Sequence, residues 1–223
     1  MKSIFLTVAL FSMSTGLYAQ SLKTSTDSVS YALGFDVGFS LASNGVQVDK
    51  QKFLQGLEQA LTHQERLINT EESMRLVQQA FAEAAQHKNQ ALQQQEKRYF
   101  DRLKEDQTLT AGPEGMYYEV IQGARGPKPS PQDEVRVHYV GTLPDGTVFD
   151  SSVARNAPIV LSLERVVRGW QLGIPMMSVG AKYKFYIPSS IGYGERPSGK
   201  IPAYSPLIFE VELLEIMHSD EIQ

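Results

Sequence analysis

Hydrophobic and polar positions follow one rule in the first half of this chain and another in the second. From Ser28 to Ser43, Tyr31, Phe35, Phe39 and Ala42 recur at helical spacing, and Asn44-Gly45 supplies a stop. Gly34 and Gly38 share a face of this helix, where they either admit another helix closely or are merely tolerated. Asp49 is placed to cap a second helix to about Leu61, with Phe53, Leu54, Leu57, Ala60 and Leu61 on its apolar face. Asn69 with Glu72 three residues on is the pattern of a capping box. No Pro or Gly interrupts Thr70 to Thr110, so a third helix of about 35 residues would run for about 50 Å. Its front is apolar (Met74, Val77, Phe81, Ala84, Ala85). Its middle, Gln86 to Arg98, is polar, as in a helix that bridges domains or shows a solvated face. The first two helices are too short to bury this apolar surface. The face near Phe35, Phe39, Phe53 and Phe81 is expected to meet a second copy, giving a homodimer through residues 20–85.

After Gly112-Pro113 the period shortens to two. Met116–Ile121, Val135–Val140, Lys182–Ile187 and Leu207–Ile216 read as strands, with Val135, Val137 and Tyr139 on one side of theirs. Pro144-Asp145-Gly146 reads as a turn, and a short helical segment follows Gly169-Trp170. All 11 prolines and the single Trp lie from residue 113 onward, which sets a boundary there. The fold class is α+β: an antiparallel sheet with one short helix on a face, preceded by an all-α domain whose long helix, about 70–106, connects the two. The expected division is 20–112, 113–218 and a tail at 219–223.

Residues 1–19 stand apart. Lys2, the apolar run Ile4–Phe11 and the small residue Ala19 have the layout of a secretory signal peptide. The run is far below the ~18–20 residues a spanning helix needs. The protein is therefore expected in the periplasm or outside the cell, with no membrane span. Composition narrows the chemistry. Cysteine is absent from the 223 residues, which removes disulfides, thiolate metal sites and cysteine nucleophiles. A net charge of −4 argues against a nucleic-acid partner. Histidines 63, 87, 138 and 218 lack ligand spacing, so no metal site is expected, and His138 reads as a half-buried structural residue. Gly194–Lys200 matches G-x4-G-K, yet Ile201 stands where a magnesium ligand belongs and Pro202 where a helix should begin, so it is no phosphate loop. No G-x-S-x-G occurs.

What remains is a set of aromatics at particular places. They are Tyr139 in VHYVG, Phe149 with Asp150 in DGTVFDSS, Trp170 in VVRGW, Tyr193 in IPSSIGYG and Phe209 in PLIFEVEL. Each alone is more often core than site. In this order and spacing, over about residues 113–217, they resemble an FKBP-type peptidyl-prolyl cis-trans isomerase domain. SYALGFDVGFSLASNG, FLQGLEQAL and the long helix are similar to the N-terminal dimerisation module of Mip-like and FkpA-like secreted isomerases.

The resemblance implies an enzyme that needs no cofactor and acts on unfolded or nascent proline-containing chains, with macrolides as candidate ligands. It implies an apolar floor of Tyr139, Phe149, Val166, Val167, Trp170, Ile201 and Phe209, with Trp170 at its base. Asp150 and Tyr193 would stand at the rim. The Tyr193 hydroxyl and the Val167 N–H would hold substrate carbonyls, and Asp150 would accept a hydrogen bond from Tyr193. Ile159 stands near a position where many relatives carry an aromatic, and Glu195–Lys200 lacks the aromatic or His of some members. Both departures bear on macrolide binding and substrate preference. The alternative function is a holdase chaperone that works independently of isomerisation on the same scaffold.

Overall fold

The computed structural model describes residues 22–217. The leader expected at 1–19 and the tail at 219–223 lie outside them. The chain divides into two compact units that meet between His63 and Gln64. The compositional boundary near residue 113 therefore falls inside the second unit.

The first unit holds α1 (Ser25–Ser43) and α2 (Lys50–Leu61). A capping box opens α1: Thr24 accepts from the Asp27 N–H, and the Asp27 carboxylate accepts from the Thr24 N–H. The stop at Asn44-Gly45 is a Schellman motif. Val46 N–H donates to the Leu41 carbonyl at 2.9 Å and Gly45 N–H to that of Ala42 at 3.0 Å. Gly45 sits at φ +73°, where a side chain would be strained. Asp49 caps α2 through the Lys52 N–H at 2.8 Å. Neither helix contains a buried residue. Tyr31, Phe35 and Phe39 stack along one face of α1, with successive ring centroids 6.2 Å apart.

The second unit opens with α3 (Thr70–Glu105), an unbroken helix of 36 residues. Asn69 caps it through the Glu72 N–H, but the reciprocal arm of the box is replaced. The Glu72 carboxylate turns to Arg75, at 2.6 Å, because an ion pair one turn ahead competes for it. Gln93, Gln94 and Gln95 are exposed. Leu92, Glu96, Tyr99 and Leu103, spaced by three and four, form the less exposed face.

Seven strands follow: β1 (Thr110–Ala111), β2 (Tyr117–Gln122), β3 (Glu134–Thr142), β4 (Val148–Ser151), β5 (Ile159–Ser162), β6 (Lys182–Ile187) and β7 (Leu207–Met217). The sheet runs β1-β2-β6-β7-β3-β4, and β5 pairs with β3. All pairings are antiparallel. β4 pairs with β3 at Val140–Thr142 and β5 with β3 at Glu134–Val137, so residues 152–158 leave the sheet between them. Val135, Val137 and Tyr139 face the core as their alternation requires. Leu207, Phe209, Val211 and Leu213 do the same on β7.

The short helix α4 (Arg168–Gly173) lies against this core. A Cβ at Gly169 would fall 2.5 Å from the Ile187 side chain, and one at Gly173 would fall 2.8 Å from the Phe185 ring. Two glycines on one side of α4 thus let its backbone approach β6 and bring Trp170 down to the sheet. Residues 198–201 close a tight turn, with Ser198 and Ile201 exchanging backbone hydrogen bonds at 2.9 Å. This is a turn geometry and offers no phosphate cradle.

Candidate active site

Four strands and the entry to α4 converge on one cavity. β3 and β4 supply Tyr139, Phe149 and Asp150, β7 supplies Phe209, and the segment entering α4 supplies Val166, Val167 and Trp170. Ile159 and Leu161 of β5, Arg165 and Tyr193 complete the lining of a cavity of about 390 Å³. Ile201 is not among the lining residues. It is buried in the core cluster through the turn it closes with Ser198.

The floor is a set of aromatic edges and faces. Trp170 meets Phe209 at 5.0 Å between centroids and 76°, and Tyr139 at 5.2 Å and 83°. Phe149 meets Phe209 at 5.4 Å and 87°. Edge-to-face contacts place the positive ring rim against a negative ring face, which fixes orientation as well as area. Gly141 makes room for this: a Cβ there would lie 2.5 Å from the Phe149 ring. The Trp170 indole N–H is buried without a hydrogen-bond partner. Gln171 donates to the Val166 carbonyl at 3.1 Å, which steadies the backbone just before α4. Val167 is the N-cap of α4; its carbonyl accepts from the Trp170 N–H, while its own N–H has no acceptor within that helix.

One side of the cavity is polar, and its wiring differs from the expected pair. Asp150 accepts from the Tyr139 hydroxyl, from Arg155 and, at 2.8 Å, from the Ser151 N–H; Tyr193 is not its partner. Tyr139 and Asp150 are brought side by side because β3 and β4 pair with Gly141 opposite Asp150. Arg155 reaches both, with its second nitrogen 3.1 Å from the Tyr139 oxygen. Partial burial pushes the Asp150 carboxyl up, but the Tyr139 hydroxyl and the Arg155 guanidinium outweigh it and leave the group below the usual carboxylate range. Burial, reinforced by the Asp150 carboxylate, raises the Tyr139 phenol. Asp150 is therefore an acceptor that holds Tyr139 in place, in a site with a formed ion pair.

Nothing in the sequence pattern singles out Arg155. It lies in the segment that leaves the sheet between β4 and β5, and only that detour returns it to Asp150. Ser152 was missed likewise: its hydroxyl accepts from the Tyr139 N–H at 2.7 Å and lies 3.0 Å from His138 Nδ1, which locks the strand behind the tyrosine. Tyr193 is 41% exposed and stands at the mouth, after a turn opened by Pro188.

Residues 126–214 match the family described as FKBP-type peptidyl-prolyl cis-trans isomerase, and residues 26–120 match the domain amino terminal to it. The chain is 35% identical over 208 residues to FkpA of Aeromonas hydrophila, spanning 87% of this chain and 77% of that protein. It is 30% identical over 229 residues to a Legionella longbeachae protein named outer membrane protein MIP, with 97% of each covered. Among solved structures, FkpA from Escherichia coli superposes with a TM-score of 0.69 at 28% identity, covering 88% of this chain and 98% of that one. The two family segments span most of the chain, relatives at 30–35% identity cover 87–97% of it, and the chain belongs to the FKBP-type peptidyl-prolyl cis-trans isomerases.

Proposed function

We propose that this isomerase accelerates rotation about X-Pro bonds of polypeptides folding in the bacterial envelope, and that it does so in the cup of Tyr139, Phe149, Trp170 and Phe209. The observation that carries the reading is the cup itself: four rings held edge to face and tilted around one cavity of about 390 Å³. Amide resonance sets a barrier of about 18–20 kcal/mol, and the uncatalysed change takes tens to hundreds of seconds. At the twisted state conjugation is lost and the carbonyl becomes less polar. A water-poor aromatic pocket favours that species over the planar amide, and each 1.4 kcal/mol of preference is about tenfold in rate. No bond breaks, so Asp150 needs to take no proton. It holds Tyr139 and Arg155 as one wall of the cup. The proline ring sits over Trp170, with Val166 and Ile159 beside it. The Val167 N–H and the Tyr193 hydroxyl hold the flanking carbonyls.

Exchange spectroscopy on a Leu-Pro or Phe-Pro peptide tests the assignment. The chain should speed cis/trans exchange, and Asp150→Ala should lower kcat/KM by about tenfold to a hundredfold, the worth of a hydrogen bond to a charged group. Unchanged exchange in a folded Asp150→Ala protein would remove Asp150 from the site.

Export to the periplasm is part of the same proposal. It draws on the leader-like residues 1–19 and on the outer membrane named in the MIP relative. The N-terminal mass of protein recovered from the periplasm checks it: loss of about residues 1–19 supports export, and an intact N-terminus refutes the cut. A homodimer through residues 20–85 completes the proposal. Holdase activity is the alternative reading of the same face: where no second copy covers them, the stacked and exposed Tyr31, Phe35 and Phe39 offer an apolar surface to unfolded chains.

A further inference from the structure

We propose that Glu96, on the long helix α3, is a positioning residue for the pocket: it holds the turn that carries Tyr193. The proposal rests on the assignment of the cup as the isomerase site.

The turn Ser189–Ile191 begins immediately after Pro188, its N-cap. Helical turns leave their first N–H groups without partners, and a side-chain oxygen at the N-cap usually accepts one. Proline has no such oxygen, and no side-chain cap is made from within the turn. The missing acceptor comes instead from 93 residues earlier. Glu96 Oε1 accepts from the Ser189 N–H at 2.5 Å, and Glu96 Oε2 accepts from the Ser189 hydroxyl at 2.8 Å. Both carboxylate oxygens are engaged by one residue that is only 5% exposed. Charge-assisted bonds of this kind are short and directional.

Ser189 is also the anchor of the residues on either side of Tyr193. Its carbonyl accepts from the Gly192 N–H and from the Gly194 N–H, each at 2.9 Å. The Gly194 carbonyl in turn accepts from the Tyr204 N–H at 2.8 Å. A continuous set of hydrogen bonds therefore runs from Glu96 through Ser189 to both neighbours of Tyr193, whose side chain lines the cavity. Glu96 itself is held in place by the helix. One turn on, Tyr99 is buried enough that its phenol is pushed up to about 12, with Tyr186 adding to the effect. Phe100 lies 6.3 Å from the Tyr117 ring on β2. Around this tie the seam is open: a cavity of about 330 Å³ lies between α3 and the loops at 143–145 and 202–206. The carboxylate is the specific connection across it.

The test is a double-mutant cycle with an independent spectroscopic arm. Glu96→Ala should lower kcat/KM for a short X-Pro peptide by about threefold to tenfold, the scale of a modest misplacement of a binding group. Glu96→Gln, which keeps one acceptor oxygen, should fall between. In a Tyr193→Phe background the Glu96→Ala loss should vanish, because the hydroxyl that Glu96 positions is already gone. Without substrate, Glu96→Ala should move the amide resonances of Ser189, Gly192, Tyr193 and Gly194, while Gln93→Ala on the exposed face should not. Unmoved amides, or an equal loss in both backgrounds, would overturn the proposal. So would an active Glu96→Ala protein beside an impaired Tyr193→Phe one, or silence of both while Asp150→Ala is impaired. If Asp150→Ala is silent as well, the pocket assignment falls and the positioning role with it, while the amide shifts still report the contact.

Discussion

The α1–α2 unit and the sheet unit spend similar residues in opposite ways. In the sheet unit Phe185, Ile187, Val135, Val137 and Leu213 are fully buried, because seven strands and α4 give each side chain neighbours on every side. In α1, Phe35 is 59% and Phe39 64% exposed, and neither α1 nor α2 buries any residue. A sheet domain closes its own core; two helices of 19 and 12 residues do not. The lesson is that hydrophobic content alone says nothing about where stability resides. The same phenylalanine is a core residue in one unit and exposed surface in the other.

The sharpest way to break this contrast is to make one truncation in both places. Phe185→Ala should cost about 3–5 kcal/mol through lost burial and an unfilled cavity. Phe35→Ala should stay within about 0.5 kcal/mol for the isolated chain, as surface changes do. Thermal or urea unfolding of the two variants, at concentrations that keep the chain monomeric, decides it; comparable losses would mean that α1 is already covered in the monomer. A second test asks what the exposed face is for. Phe35→Asp with Phe39→Asp should convert the proposed dimer to monomer at micromolar concentration by light scattering, with exchange rates on short peptides unchanged. A wild-type chain that is itself monomeric would remove the dimer. The smallest effect is electrostatic and confined to the sheet unit. Asp150 is held below its unfolded pKa of about 3.9, so its contribution to stability is fully present above that value and is lost as pH falls through the lower, folded one. The stability that Asp150 contributes should therefore hold down to about pH 3.9 and decline below it, and in Asp150→Asn this part of the acid dependence should disappear from unfolding curves.

Legibility followed distance along the chain. The stop at Asn44-Gly45, the cap at Asp49 and the strand Lys182–Ile187 depend on residues a few positions apart, and the structure has them where the pattern puts them. Hydrophobic spacing begins α1 at Ser28, whereas Thr24 and Asp27 form the box that begins it earlier. The aromatics of the cup were legible as a set only through the family pattern, since hydrophobic alternation does not separate a pocket floor from a core. The wiring of the rim was not legible. Asp150 turns to Tyr139 rather than Tyr193 because strand register decides which side chains share an edge, and register is a property of pairs. Arg155 depends on the detour between β4 and β5, and Glu96 on a helix docked 93 residues away in sequence.

The helix α3 carries one further consequence. The amino-terminal family segment runs to residue 120, whereas the compact unit containing the sheet begins at Gln64. The inherited module and the physical unit therefore overlap along the whole of α3. A catalytic fragment cut at the compositional boundary near residue 113 would lose the acceptor for Ser189 and the ring against Tyr117. Excision or grafting of this isomerase calls for a cut upstream of about Leu92, within a helix, where no loop marks the place.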